Sequence, residues 1–302
     1  MSDDLAALLA AGERAAFHGR PASGVTALES AFERARVEGK GAEATAAAWL
    51  LGVCLAAAGK FGGSLAVLEP LVAAGTSEAP ERRLFAALAA ATSASVRRQL
   101  GQQAEARALD EAAYVYSDGA PEASFDALVG LAAAAVTVDD AATAGQLVEQ
   151  ARALAAGHGD WWRQRVRLAW VEGEVALLVG EPARAESVLT SAVQLAEVSG
   201  APRHVAKTLL LVAVAQVQSG RLAEAEGTLR RAATLAESLG ALPTLWPSRA
   251  LLGALLEETA PAESARSLAS ARSGVIAIAD DLPDDLRDIW LDRPDVAALL
   301  GG

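Results

Sequence analysis

The chain has 302 residues with a formal net charge of −12 and a pI near 4.8, which argues against sequence-independent nucleic-acid binding, because that needs a basic face. Its single cysteine, Cys54, rules out an intrachain disulfide, fits a reducing compartment and reads as a small buried hydrophobe. With 52% hydrophobic residues but only 4% aromatic ones, the core is expected to be Ala and Leu between closely approaching helices.

Taken in order, the chain reads as seven helical hairpins and a tail. The N-terminal stretch MSDDLAALLAAGERAAF is acidic where a signal peptide is basic, and no apolar run reaches the ~20 residues that span a bilayer, so a cytoplasmic location without membrane contact is expected. The first hairpin has Pro21 near the start of its second helix, where a missing N–H does no harm. In the second, Pro70 is expected to end or bend the second helix. The third is the most polar, with Arg97, Arg98, Gln99, Gln102 and Gln103 around its turn. The fourth replaces the turn glycine by Asp139-Asp140, and a carboxylate there can cap the next helix. Trp161-Trp162 at the start of the fifth reads as a packing anchor for the preceding loop. The sixth, Arg203 to Gly240, is the best-formed unit: two apolar runs at helical spacing, broken at Ser219-Gly220-Arg221. The seventh is less regular and is expected to have a shorter second helix. From Asp280 the period breaks, and Leu286, Ile289, Trp290 and Leu291 are expected on one amphipathic helix lying on the seventh hairpin, with Pro294 starting another turn.

Aligned on the turns, the hairpins share columns of small residues. The first-helix column is Gly12, Gly52, Ala94, Ala132, Gly173, Ala213 and Gly253. The second-helix column is Gly24, Ser64, Ala106, Ala144, Ala185, Ala225 and Ala265. A further column reads Ala31, Leu71, Ala113, Ala151, Ala192, Ala232 and Arg272. The turns themselves, from Gly19 to Ala260, recur every 38 to 42 residues. Small side chains at a fixed period let two helices cross closely, and a period held over seven turns marks a repeat array.

These residues, above all SGRLAEAEGTLRRA and VGEPARAESVLTSA, resemble the tetratricopeptide repeat family over about residues 5–275. The period is longer than the ~34 residues usual there, and the usual aromatic positions are mostly Leu, Val or Ala. Repeats of this length are similar to the helical sensor domains of large bacterial transcriptional activators, although this chain lacks their nucleotide-binding and DNA-binding domains. The resemblance implies an all-α, right-handed α-α superhelix over residues 1–279, with a C-terminal capping helix in 280–302. It also implies that the first helices line a concave face.

Counting from the small column puts Trp49, Val53, Arg98, Val129, Arg167, Trp170, Glu174, Lys207, Leu210 and Val214 on or near that face. The bland reading of the tryptophans is that they fill space between helices with their N–H groups on polar partners. The bland reading of the charges, Arg98, Arg167 and Lys207, is that they are solvated or paired with Glu174. The functional reading is a non-enzymatic scaffold that binds a protein or peptide segment in the groove, an acidic one if the cations stand free. A small-ligand sensor module is the alternative. An enzyme reading rests only on Asp280-Asp281-Leu282-Pro283-Asp284, which resembles the magnesium-binding motif of isoprenoid synthases but has no second metal motif facing it. His18, His158 and His204 fall in different repeats, and neither a phosphate loop nor a nucleophile elbow is visible. No cofactor, metal or catalytic residue is therefore assigned.

Overall fold

The computed structural model describes residues 2–77 and 79–301, with side chains from Asp4 onward, and among them sixteen α-helices and no strand. The seven hairpins are α1 (Ser2–His18) with α2 (Val25–Val37), α3 (Gly41–Ala58) with α4 (Phe61–Ala73), α5 (Pro80–Gln99) with α6 (Gln103–Ser117), and α7 (Pro121–Val136) with α8 (Ala141–Ala156). They continue as α9 (Trp162–Leu178) with α10 (Pro182–Val198), α11 (Pro202–Gln218) with α12 (Leu222–Leu239), and α13 (Leu242–Leu255) with α14 (Pro261–Ala279). The tail forms α15 (Asp284–Leu291) and α16 (Pro294–Gly301).

Each hairpin is set by its turn. At the sixth, Gly220 takes φ +72°, and the Arg221 N–H returns to the Gln216 carbonyl at 2.9 Å, satisfying a helix-end carbonyl. Asp139 takes the same left-handed conformation in the fourth hairpin, and Asp140 caps α8 by accepting from the Thr143 N–H at 3.0 Å. Pro70 does not end its helix: α4 runs three residues further to Ala73 and then tightens into a 3₁₀ turn at Ala74–Thr76.

The small columns are where the helices of a hairpin touch. Leu28, Leu68, Leu189 and Leu229 on the second helices are fully buried against Gly12, Gly52, Gly173 and Ala213 on the first. A Cβ on Gly52 would stand 2.5 Å from Leu68, and one on Gly173 would stand 2.9 Å from Leu189. Ser64 adds a hydrogen bond from its hydroxyl to the Gly52 carbonyl at 2.9 Å.

The seventh hairpin corrects two expectations. Its second helix, α14, has 19 residues and its first, α13, only 14. Its register is also displaced by one, because Ala260 stands where five of the others have a turn glycine and the fourth has Asp139. Ser264, not Ala265, donates to the Gly253 carbonyl at 2.8 Å, and Ala271, not Arg272, is buried, while Ala265 is exposed.

The first helices α1, α3, α5, α7, α9, α11 and α13 pack side by side as an inner layer, with the second helices outside. One of these, α3, is the helix among the described residues that is long and apolar enough to cross a membrane by composition; here it is packed between α1, α2, α4 and α5.

The superhelix then meets itself. His18 at the end of α1 donates from Nδ1 to the Ser199 carbonyl at 3.1 Å, and Arg203 of α11 reaches the Ala16 carbonyl at 3.3 Å. Gly59 lies against Leu242 of α13, and Gly62 lies so close to the Asp281 carbonyl that a Cβ has no room. Asp281 Oδ2 accepts the Gly63 N–H at 3.2 Å, with Lys60 at 3.9 Å from the same carboxylate. The aspartate-rich motif is thus engaged in a seam: Asp281 faces α4 and Asp280 faces Arg287 at 3.6 Å.

The tail lies on more than the seventh hairpin. Trp290, 1% exposed, donates to the Val275 carbonyl at 3.0 Å and packs with Phe61, Val96 and Leu100 of the second and third hairpins. Arg293 donates to the Gln99 carbonyl. Ile289, expected on the buried face, is 40% exposed, because Leu286 and Trp290, one turn apart, are the side chains that point inward.

Candidate binding chamber

Closure turns the concave groove into a chamber of about 690 Å³. Nine of the ten residues placed on the inner face by sequence line it: Trp49, Val53, Arg98, Val129, Arg167, Trp170, Glu174, Lys207 and Leu210. Val214 does not, because it lies one turn beyond Leu210, past the chamber wall, where it is partly buried. The tail contributes Trp290, Arg293 and Asp295 to the wall.

The two inner tryptophans are tied to the helices beside them. Trp170 donates to the Thr208 hydroxyl at 2.7 Å and stacks on His204, ring centroids 5.6 Å apart. Trp49 donates to the Thr92 hydroxyl at 3.3 Å and lies 6.4 Å from the Phe17 ring. Both N–H groups are therefore satisfied across helices, as space-filling tryptophans require. Trp161 anchors its loop by stacking flat on His158 at 3.9 Å and edge-on to Phe125.

The charges are less evenly satisfied. Arg98 pairs with Asp110 and donates to the Gly130 carbonyl at 3.0 Å. Asp126 receives both Arg167 and Arg163, the latter at 3.5 Å. Asp110 stands in the third hairpin where Leu189 stands in the fifth, and Gly130 leaves it room. Burial pushes its carboxyl up to about 7 against the pull of Arg98. Lys207 extends over the Trp170 ring, its ammonium 4.1 Å from the centroid. Burial holds that amine down to about 8, although Glu174 favours its charge, and the same burial raises Glu174. Arg203 is lowered to about 10 and His204 well below its ordinary value, in each case first by burial, so His204 is neutral. Cys54 is fully buried and its thiol is pushed up to about 11, so it is a packing residue.

Asp110, Asp126, Arg163, Arg203 and His204 were not among the residues placed on the inner face by sequence. Two signals point to three of them. Aligned on the turns, the leucine position opposite the small column reads Leu28, Leu68, Asp110, Val148, Leu189 and Leu229, with one acid among aliphatics. Arg203 and Arg163 each sit one helical turn before a residue that was chosen, Lys207 and Arg167.

No protein-family model and no curated protein matches the sequence. Solved structures do. A Rap protein crystallised in complex with competence and sporulation factor aligns over 99% of this chain and 86% of its own, at 12% identity and a TM-score of 0.66. The fold is the tetratricopeptide-repeat type. A second structure with this superhelix, aspartyl phosphate phosphatase F from Bacillus subtilis, aligns over 78% of this chain and 63% of its own, at 14% identity and a TM-score of 0.52. A tetratricopeptide repeat protein from Parabacteroides merdae aligns over 95% and 98% at 14% identity and a TM-score of 0.46. Within this tetratricopeptide-type solenoid, the inner layer of first helices is the surface that carries the chamber.

Proposed function

We propose that the chain is a non-enzymatic binding module that takes a short peptide, or the end of a protein segment, into its central chamber. The observation that carries this reading is the closure itself: the ends of the superhelix meet, so that the groove becomes a partly open chamber of about 690 Å³. That volume falls within the ~300–1,000 Å³ of sites that engulf ligands. Six lining cations, Arg98, Arg163, Arg167, Arg203, Lys207 and Arg293, face three lining acids, Asp126, Glu174 and Asp295, inside a chain of net charge −12. An acidic ligand is therefore attracted inward while the outside repels it. The similar Rap structure holds competence and sporulation factor, which supports a ligand for this fold.

A second reading, a sensor for a small molecule, is favoured by the seams at α1–α11 and α4–tail, which restrict entry of a folded partner. Both readings are tested by isolating the protein from its native cells and identifying what is released on denaturation by mass spectrometry. Ala133 lines the chamber, and Ala133→Trp fills it. A peptide or small molecule released from the parent and absent from Ala133→Trp supports the chamber. A partner held equally by both variants moves the site to the outer surface.

A further inference from the structure

The lining cations fall into two groups. Arg98, Arg163, Arg167 and Arg293 each face a carboxylate, on Asp110, Asp126 or Asp295. Arg203 and Lys207 do not: among the described residues neither has an acid within the 4.0 Å of an ion pair. Arg203 gives one bond to the Ala16 carbonyl and leaves its buried Nε without a partner. Lys207 rests on Trp170 with no hydrogen bond among the described residues. The two are four residues apart on α11, so their side chains leave one face of that helix, into the same chamber. Two desolvated cations side by side cost free energy until an anion joins them.

The surroundings describe the rest of the ligand. Beside Arg203 the wall becomes apolar, with Phe17, Trp49 and Val53, and Leu210 continues the α11 face beyond Lys207. Glu174, also without an ion pair within 4.0 Å among the described residues, lies close enough to Lys207 to interact with its charge. Two cations and one acid leave one positive charge, which matches a singly charged head better than a doubly charged one.

We propose that Arg203 and Lys207 form an anion anchor for the carboxylate of an amphipathic ligand, whose apolar body lies along Phe17, Trp49 and Val53. This rests on the reading of the chamber as the binding site. The shared chemistry, a carboxylate on an apolar body, has two sources: a small organic acid or the acidic end of a short peptide. The depressed basicity of Lys207 fits an anchor with no counter-ion in place, since a bound carboxylate would restore it.

Isothermal titration calorimetry with four probes tests the anchor: decanoate, decanamide, and an apolar hexapeptide mixture made as free acid and as amide. The anchor predicts that an acid binds at least about tenfold more tightly than its own amide, the margin of a charge-assisted hydrogen bond. The margin collapses in Lys207→Met and survives in Lys207→Arg. Decanoate alone, or the peptide acid alone, showing that margin identifies the source. Should Lys207→Met misfold by circular dichroism, protection of Lys207 from amine acetylation by the acid but not by the amide, read by peptide mapping, replaces it. Acid and amide binding equally, with Lys207 unprotected, overturns the anchor and leaves the chamber reading in place. No binding of any probe overturns both.

Discussion

Trp290 of the tail stands edge-on to Phe61 of α4, with ring centroids 6.4 Å apart and planes at 86°. The pair joins the last helices of the chain to its second hairpin, and Arg293 lies over the same indole at 4.9 Å. Since Phe61, Trp290 and Arg293 also line the chamber, the contact that closes the ring is part of the chamber wall.

Trp290→Ala removes the centre of that contact. Truncating a buried tryptophan costs about 3–5 kcal/mol, and here the loss is expected with an opening of the ring. Urea denaturation gives the first and the hydrodynamic radius the second. A variant as stable and as compact as the parent shows that the tail is incidental to closure.

Adjacent glycines give a matched test of the seam. A Cβ at Gly62 runs into the backbone carbonyl of Asp281, whereas one at Gly63 meets only Leu55 at 3.7 Å. Gly62→Ala is expected to cost about 1–3 kcal/mol by overpacking. Gly63→Ala, inside a helix, is expected to be neutral or to gain up to about 1 kcal/mol. Equal thermal shifts for the two would place the seam elsewhere.

The register of the seventh hairpin separates two neighbouring residues in the same way. Ala265→Leu, on an exposed position, is expected to stay within about 0.5 kcal/mol of the parent. Ser264→Leu loses the bond to Gly253 and crowds the crossing, at a cost of about 1–3 kcal/mol. Chemical denaturation with the order reversed restores the register that the small-residue columns suggest.

Much of the architecture was legible because the crossing of two helices demands small side chains, and Gly12, Gly52, Gly173 and Ala213 recur at the period of the turns. The slip at Ser264 was hidden because Ser and Ala are both small and Ala260 offers no turn glycine to align on. Nine of the ten inner-face residues followed from helical counting alone. Closure was not legible: it depends on the curvature accumulated over seven hairpins, which brings Gly62 to Asp281 without any local signal. The pairing of Arg98 and Arg167 with Asp110 and Asp126 was missed for a related reason, since each pair spans a helix crossing. That pairing makes Arg203 and Lys207, rather than Arg98 or Arg167, the chamber cations without an ion pair among the described residues.

Asp110 gives a pH dependence with a definite sign. Its carboxyl is raised in the fold from 3.8 to about 7, so the folded chain holds this proton where the unfolded chain has lost it. Its contribution to stability is full below about pH 4, falls as pH rises to about 7, and is level above that. Asp110→Leu alone leaves Arg98 buried without its partner and is expected to cost about 3–5 kcal/mol. The double variant Arg98→Met with Asp110→Leu is expected to be neutral, or more stable by about 1–4 kcal/mol, and to lose that pH dependence. Denaturant melts from pH 4 to 8 read both effects, and an unchanged pH profile in the double variant assigns the titration to another group.

Small-angle X-ray scattering of the parent chain addresses closure most directly, because the chamber exists only if the first three hairpins meet α11, α13 and the tail. A compact chain of this length has a radius of gyration of about 19 Å. The ring predicts a value within about a tenth of that and a pair-distance distribution without an extended tail. A radius above about 25 Å, well beyond the compact-chain value, would mean an open superhelix in solution and would contradict the closed ring.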